Sequence, residues 1–433
     1  MYRYVGVLLV VLLWGKIEAI VHDKTILTTN TFVTAVTADF GLAKGGLISV
    51  EYEAMPKNSS DSWPDKFYVL VLEKHQYDEY YKDWVKASDE GHSWSEESVC
   101  SYPSEYRKIA SVNSTKQSFE YTVKDAMQYT ILVMQCRSSN TPVHYKVKAT
   151  SLNLTPEGDL NTQLSMGTVQ NKYISRGFAI MYAFMSAGVV WQIVTAANRS
   201  QVKELHYFFL ATVLLYFIAY TVNSMYLEKV DGDGLEDDRL YILVRVLAHS
   251  ASVVFFITLI LLSLGWKTMR ENITEKERTF AAPIVMLYIV SGYYAASCSS
   301  NTEDNDTCQS MLGVASICRS LMLLGLIIAG NYTVNTLRVF VNLPWAPSVP
   351  TYYYLLKQYM TLRNVFILYI ILPTIYIIIG LTTLTWRTQY VQALLLESVD
   401  LLFILFMITL FAPVDLRCVS RAFSVRPPGH RDD

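Results

Sequence analysis

From residue 173 onward the chain alternates between long apolar runs and short polar breaks; before that point it does not. Seven runs stand out, at 173–197, 205–227, 240–266, 280–298, 311–334, 365–384 and 391–411. Each is long enough to cross a bilayer, because about 20 residues at ~1.5 Å rise span a ~30 Å hydrocarbon core. The pattern predicts an all-α bundle of seven transmembrane helices over residues 173–412. The preceding residues 20–155 carry shorter runs. Segments 47–52, 67–72, 118–123, 129–136 and 143–149 alternate or are rich in β-branched and aromatic residues, with Pro, Gly, Asn and Ser between them. They read as strands of an all-β sandwich, with a short helix at 77–85 and an acidic loop at 88–98. Residues 156–172 form a linker and 413–433 a polar tail.

The extreme N-terminus carries Arg3, an apolar run at 5–14 and small Ala19. That is the make-up of a secretory signal peptide, expected over residues 1–19 and too short to span. An exported sandwich then fixes the topology. The loops and tail on the opposite side hold Arg199, Lys203, Lys267, Arg270, Lys276, Arg278, Arg338, Lys357, Arg363, Arg417, Arg421, Arg426 and Arg431. The loops on the sandwich side hold only Lys229, Arg239 and Arg387. Lys and Arg accumulate on the cytoplasmic face of membrane proteins. The sandwich is therefore expected in the lumen or outside the cell, and the C-terminus in the cytosol.

Composition narrows the function. Hydrophobic residues make 52 % of the chain, charged residues 17 %, and the formal net charge is −2, so no field favours nucleic acid. Enzyme signatures are missing: no His-Glu-x-x-His, Gly-x-Ser-x-Gly or Walker loop. His75, His92 and His144 lack metal-ligand spacing, and the acidic loop 231–238 lacks the glycine and ligand positions of a calcium loop. The expectation is a non-enzyme with no cofactor and no metal. The third span does not close on Asp-Arg-Tyr and the seventh has no Asn-Pro-x-x-Tyr, so rhodopsin-type coupling has no motif behind it.

Cysteines and sequons follow the same map. Cys100 and Cys136 fall in the sandwich, and Cys298 and Cys308 flank the outer loop between the fourth and fifth spans. All four are on the oxidising side, and a disulfide is expected within each pair. Cys318 lies in a span and Cys418 in the tail. Sequons at Asn58, Asn113, Asn153 and Asn305 face the glycosylating side and are candidate sugar sites; those at Asn198, Asn272 and Asn331 do not.

The sharpest chemical signal is charge inside the spans, since ionisable groups in hydrocarbon are costly and face the bundle interior. Arg245 and His249 lie in the third span, Arg319 in the fifth, Glu397 and Asp400 in the seventh. All three helices run inward, which puts these groups in one layer roughly 8–14 Å below the outer boundary at ~1.5 Å per residue. Two readings stay open: an ion-pair network that fixes helix packing, or a water-filled cavity that accepts a lipid head group, a peptide end or an ion.

The strand opening at Gly45-Gly46 and the strand ending in Cys136 resemble the GOLD domain. The linker from Leu152 to Gly167, the Leu262-Ser-Leu-Gly-Trp266 end of the third span and the acidic start of the seventh around Glu397 and Asp400 are similar to GOLD-domain seven-transmembrane proteins, the lung seven-transmembrane receptor-like family. The resemblance implies a Golgi or endosomal membrane protein that assists cargo transport. Its bundle would open a cavity to the lumen for a lipid or peptide ligand, and its sandwich would bind protein cargo or partners. The plasma membrane is a second location. A surface receptor acting through G proteins and an ion-conducting protein are the alternatives.

Overall fold

The computed structural model describes residues 21–28, 32–56, 67–89, 106–109, 116–135, 143–154, 160–196, 202–234, 237–298, 306–342 and 349–413. The expected signal peptide, Cys100, Cys136, Asn58, Asn113, Asn305 and most of the tail lie outside these residues.

The strands are β1 (Val21–Thr28), β2 (Phe32–Leu42), β3 (Leu47–Pro56), β4 (Phe67–Glu73), β5 (Tyr106–Ile109), β6 (Lys116–Thr122), β7 (Met127–Gln135), β8 (Val143–Leu154) and β9 (Leu160–Thr162). They form two antiparallel sheets. One runs β1-β8-β3-β6, with β9 on the end of β8; the other runs β2-β7-β4-β5. Alternation explains the packing. Ile48, Val50 and Tyr52 of β3 and Val147 and Ala149 of β8 point inward against Val69, Val71, Ile131 and Val133 of the second sheet. Ser49 and Glu51 take the outer face, as a period of two requires.

The second sheet is buried on both faces. Leu70, Leu72 and Leu132 turn away from the sandwich core yet are also fully buried. Helix α1 (Lys74–Asp89) packs on β4 and β7 from that side, with Tyr80 buried at the contact. This is the expected 77–85 helix, longer by about a turn at each end. A bulge interrupts β2 opposite β7 between Thr37 and Phe40. There Asp39 takes a left-handed φ of 54°, and its N–H is held by Thr130 Oγ1 at 3.2 Å. Asp tolerates this conformation better than most residues.

Seven helices follow, each long and apolar enough to span: α2 (Val169–Thr195), α3 (Glu204–Asp233), α4 (Asp238–Ser263), α5 (Glu275–Ala296), α6 (Asp306–Asn342), α7 (Val349–Thr383) and α8 (Gln389–Leu410). They pack in chain order, α8 returns to α2 to close the ring, and α4 reaches across to α6. Helix ends carry their usual chemistry. Asp237 caps α4 by accepting from the N–H groups of Arg239 and Leu240. Thr274 and Glu277 form a capping box on α5, and Gly234 ends α3 at φ 65°. The α7 helix begins 16 residues before the apolar run at 365, so Tyr352, Tyr353 and Tyr354 are helical. Pro350 sits in the first turn, where its missing N–H costs nothing, and no breaker follows before Pro373.

Candidate functional site

Seen across the bundle, the ionisable residues of the spans divide into two groups. Arg319 of α6 and Glu397 and Asp400 of α8 meet in the middle of the bundle. The Tyr369 hydroxyl of α7 donates to Asp400 Oδ1 at 2.9 Å and is also within hydrogen-bonding reach of Arg319. Among the described residues the link between that arginine and that carboxylate runs through the phenol, not through a direct ion pair. The Arg319 guanidinium lies 5.5 Å from the centre of the Phe256 ring, a cation–π contact in an apolar setting. Tyr369 is held in place by stacking on Phe403 at 4.3 Å and on Phe366 at 6.1 Å.

Three further tyrosines surround the group. Tyr182 of α2 stacks on Tyr216 of α3 at 5.1 Å, and both lie within electrostatic reach of Asp400 and Glu397. Tyr288 of α5 faces Arg319. The Tyr182 hydroxyl is fully buried and has no hydrogen-bond partner among the described residues. A buried polar atom left unmet costs about 1–3 kcal/mol, so such an atom in a native core needs a reason. Gln392 Nε2, one and a half turns before Glu397 on α8, is in the same position. Asp400 therefore reaches the guanidinium through Tyr369 while Glu397 is set against Asp400, with unmet hydrogen-bonding capacity on the Tyr182 hydroxyl within their electrostatic reach.

Arg245 lies apart from this group, and His249 meets it through Tyr288. Arg245 is 3 % exposed, and its Nη1 donates to the Tyr241 hydroxyl at 3.2 Å and to the Cys298 carbonyl at 3.5 Å. It thus ties α4 to the end of α5. Cys298 there is bonded to Cys308 at the start of α6, as expected, with Cα atoms 6.4 Å apart. His249 is wedged between the rings of Tyr288 and Tyr293, at 4.9 and 5.0 Å. Gly292 makes the space: a Cβ there would sit 2.0 Å from His249 Cε1. Small residues allow this kind of close helix contact in membranes.

The sandwich sits directly on the bundle. Leu164, just after β9, is completely buried among Tyr226, Leu227 and Val230 of α3 and Val244 of α4. Lys172 pairs with Asp231 at 2.5 Å, the same carboxylate accepts from Thr162 Oγ1, and Gln163 Nε2 donates to the Gly232 carbonyl. On the other side, the turn before α8 presses into the sandwich. A Cβ at Gly41 would lie 2.5 Å from the Trp386 ring, and one at Gly167 would lie 2.2 Å from the Trp386 carbonyl oxygen. Arg387 donates to the Ala126 carbonyl in the β6–β7 turn.

Asn153 is at the centre of this seam, and its place corrects the sugar-site expectation. It is 1 % exposed. Its Oδ1 accepts from Ala43 N–H at 2.7 Å, while Nδ2 donates to the Gly41 and Leu164 carbonyls at 2.9 and 2.8 Å. The nitrogen that would carry a glycan is already committed to tying β2 to the linker.

Sequence reasoning found the charged residues but missed Tyr182, Tyr216, Tyr288 and Tyr369, which complete the central group. The available signal was a tyrosine at middle depth on four different helices. Among the described residues no cluster of His, Cys, Asp and Glu has the make-up of a metal site. In comparisons with known proteins, the model of the GOST seven transmembrane domain matches residues 173–416. That is more than half of the chain, which therefore belongs to this family. No curated protein matches it.

Proposed function

We propose that this GOST-family protein assists cargo transport in Golgi and endosomal membranes, and that the middle of its bundle holds the polar head of an amphipathic ligand reached from the sandwich side. The observation that carries this reading is the imbalance at the central group. Asp400 has Arg319 as its charged neighbour, Glu397 has only Asp400, and the buried Tyr182 hydroxyl within their electrostatic reach is unmet. A guest bearing a positive charge and an acceptor, such as the ammonium and phosphate of a lipid head group, supplies what the site lacks. In a low dielectric a charge-assisted hydrogen bond of that kind is about twice as strong as a neutral one. The location follows from the family resemblance, and the sandwich is the part that meets cargo or protein partners.

The test is ligand retention and traffic in full-length protein. Glu397→Gln and Asp400→Asn should each lower the lipid that co-purifies, read by mass spectrometry, and slow maturation of a secreted reporter. Unchanged ligand content, location and reporter maturation in both variants would refute the reading. Agonist-dependent nucleotide exchange on a purified G protein would point to a receptor instead. Currents in reconstituted bilayers that Asp400→Asn abolishes would point to a channel.

A further inference from the structure

At the end of the bundle remote from the sandwich, α4, α6 and α7 leave a partly open cleft of about 50 Å3. Its walls are apolar, with Leu259 and Leu262 on α4, Leu326 on α6, and Leu362 and Phe366 on α7. The middle of the α6 wall is bare, because Gly330 stands there and an added Cβ would meet nothing within 4 Å. The level of the cleft is set by its neighbours. Thr333 Oγ1 donates to the Ser263 carbonyl at the last turn of α4, and Tyr359 packs on Phe411 just beyond α8. The cleft therefore begins where several helices end, close to the membrane boundary.

Arg363 lines the cleft one turn further in than Tyr359. Its side chain is only partly buried, and among the described residues its hydrogen bond goes to Asn364 Oδ1 at 3.4 Å, with no carboxylate paired to it. The charge carried by α6 and α7 near the cleft is one-sided. Between Asp306 and Glu397 the sequence contains no Asp or Glu, while Arg338, Lys357 and Arg363 fall on the distal halves of α6 and α7. A long cationic side chain near the boundary of an apolar cleft extends its charge to the head-group level. The complement is a molecule with an acyl chain for the cleft and a negative head for the arginine.

We propose that this cleft binds an anionic glycerophospholipid from the leaflet remote from the sandwich, with one acyl chain lying over Gly330 and the head-group phosphate on Arg363. The site is separate from the central group and stands whether or not that group holds a ligand.

The experiment uses full-length protein in phosphatidylcholine nanodiscs doped with phosphatidylserine, with retained lipids counted by native mass spectrometry. Wild type should retain phosphatidylserine in preference to phosphatidylcholine. Arg363→Gln should lower that preference about fivefold, the effect of losing one cation near an anionic lipid head, and Arg363→Lys should keep most of it. Gly330→Phe, which fills the cleft without touching the charge, should abolish the preference for phosphatidylserine. Equal retention of the two lipids by wild type would overturn the proposal, as would phosphatidylserine retention that neither Arg363→Gln nor Gly330→Phe alters.

Discussion

Asn153 offers the most direct test of how the sandwich is joined to the bundle, because its sequon and its structure make opposite demands on one nitrogen. Replacing it with alanine removes three hydrogen bonds at a site that is 1 % exposed. The Ala43 N–H and the Leu164 carbonyl would lose the partner shown for them, while the Gly41 carbonyl keeps its bond from Met166 N–H at 2.9 Å. At about 1–3 kcal/mol for each buried group left unmet, with a smaller loss at Gly41, the total is roughly 3–5 kcal/mol. For a domain of this size that lowers the melting midpoint by roughly 10–15 °C. The sugar question is separated by Thr155→Ala, which destroys the sequon and leaves Asn153 intact. In full-length protein from a glycosylating host, the peptide containing Asn153 should be unmodified by mass spectrometry. Thr155→Ala should match wild type in gel mobility and melting, and Asn153→Ala should melt early and show faster hydrogen exchange in β2. A glycan found on Asn153, or an Asn153→Ala protein as stable as wild type, would refute the argument.

Two further outcomes follow from close contacts in the structure. Leu164→Ala opens a cavity at the top of α3 and α4 and should destabilise the full chain by about 2–4 kcal/mol, read as a lower melting midpoint and easier proteolysis near the linker. Gly292→Val places side-chain atoms where the His249 ring now sits, so it should cost about 1–3 kcal/mol by overpacking, and the double variant with His249→Ala should recover most of the loss in a melt.

The bundle was legible in the sequence because a bilayer demands a length of apolar chain, and that demand shows in any window of hydropathy. Helix ends were less legible for the same reason. Lys357, Gln358 and Arg363 lower the hydropathy of the first turns of α7 without breaking the helix, so the apolar run at 365 starts too late. In the sandwich, β3, β4, β6, β7 and β8 announced themselves by alternation or apolar content. The three residues of β9 carry no pattern of their own and are a strand only because β8 continues past the sandwich to meet them.

The same distinction decides what could be known of the site. Charge in a span is conspicuous, so Arg245, His249, Arg319, Glu397 and Asp400 were all found by inspection. Counting residues from a helix end gives depth, and depth alone gathered the five into one layer. Lateral position comes from helix rotation, which turns Arg245 and His249 toward α5 and the other three toward the centre. Tyrosine is too common here to signal anything, with 30 in the chain, so the four that complete the central group could be chosen only once the helices were placed. The seam was harder still, since Gly41, Gly167 and Trp386 are far apart in sequence and two of them act by lacking a side chain. Trp386 lies three residues before α8, and Glu397 lies two turns into it. At about 1.5 Å per residue, roughly 12 Å of helix therefore separates the start of α8, beside the sandwich contact, from the carboxylate pair.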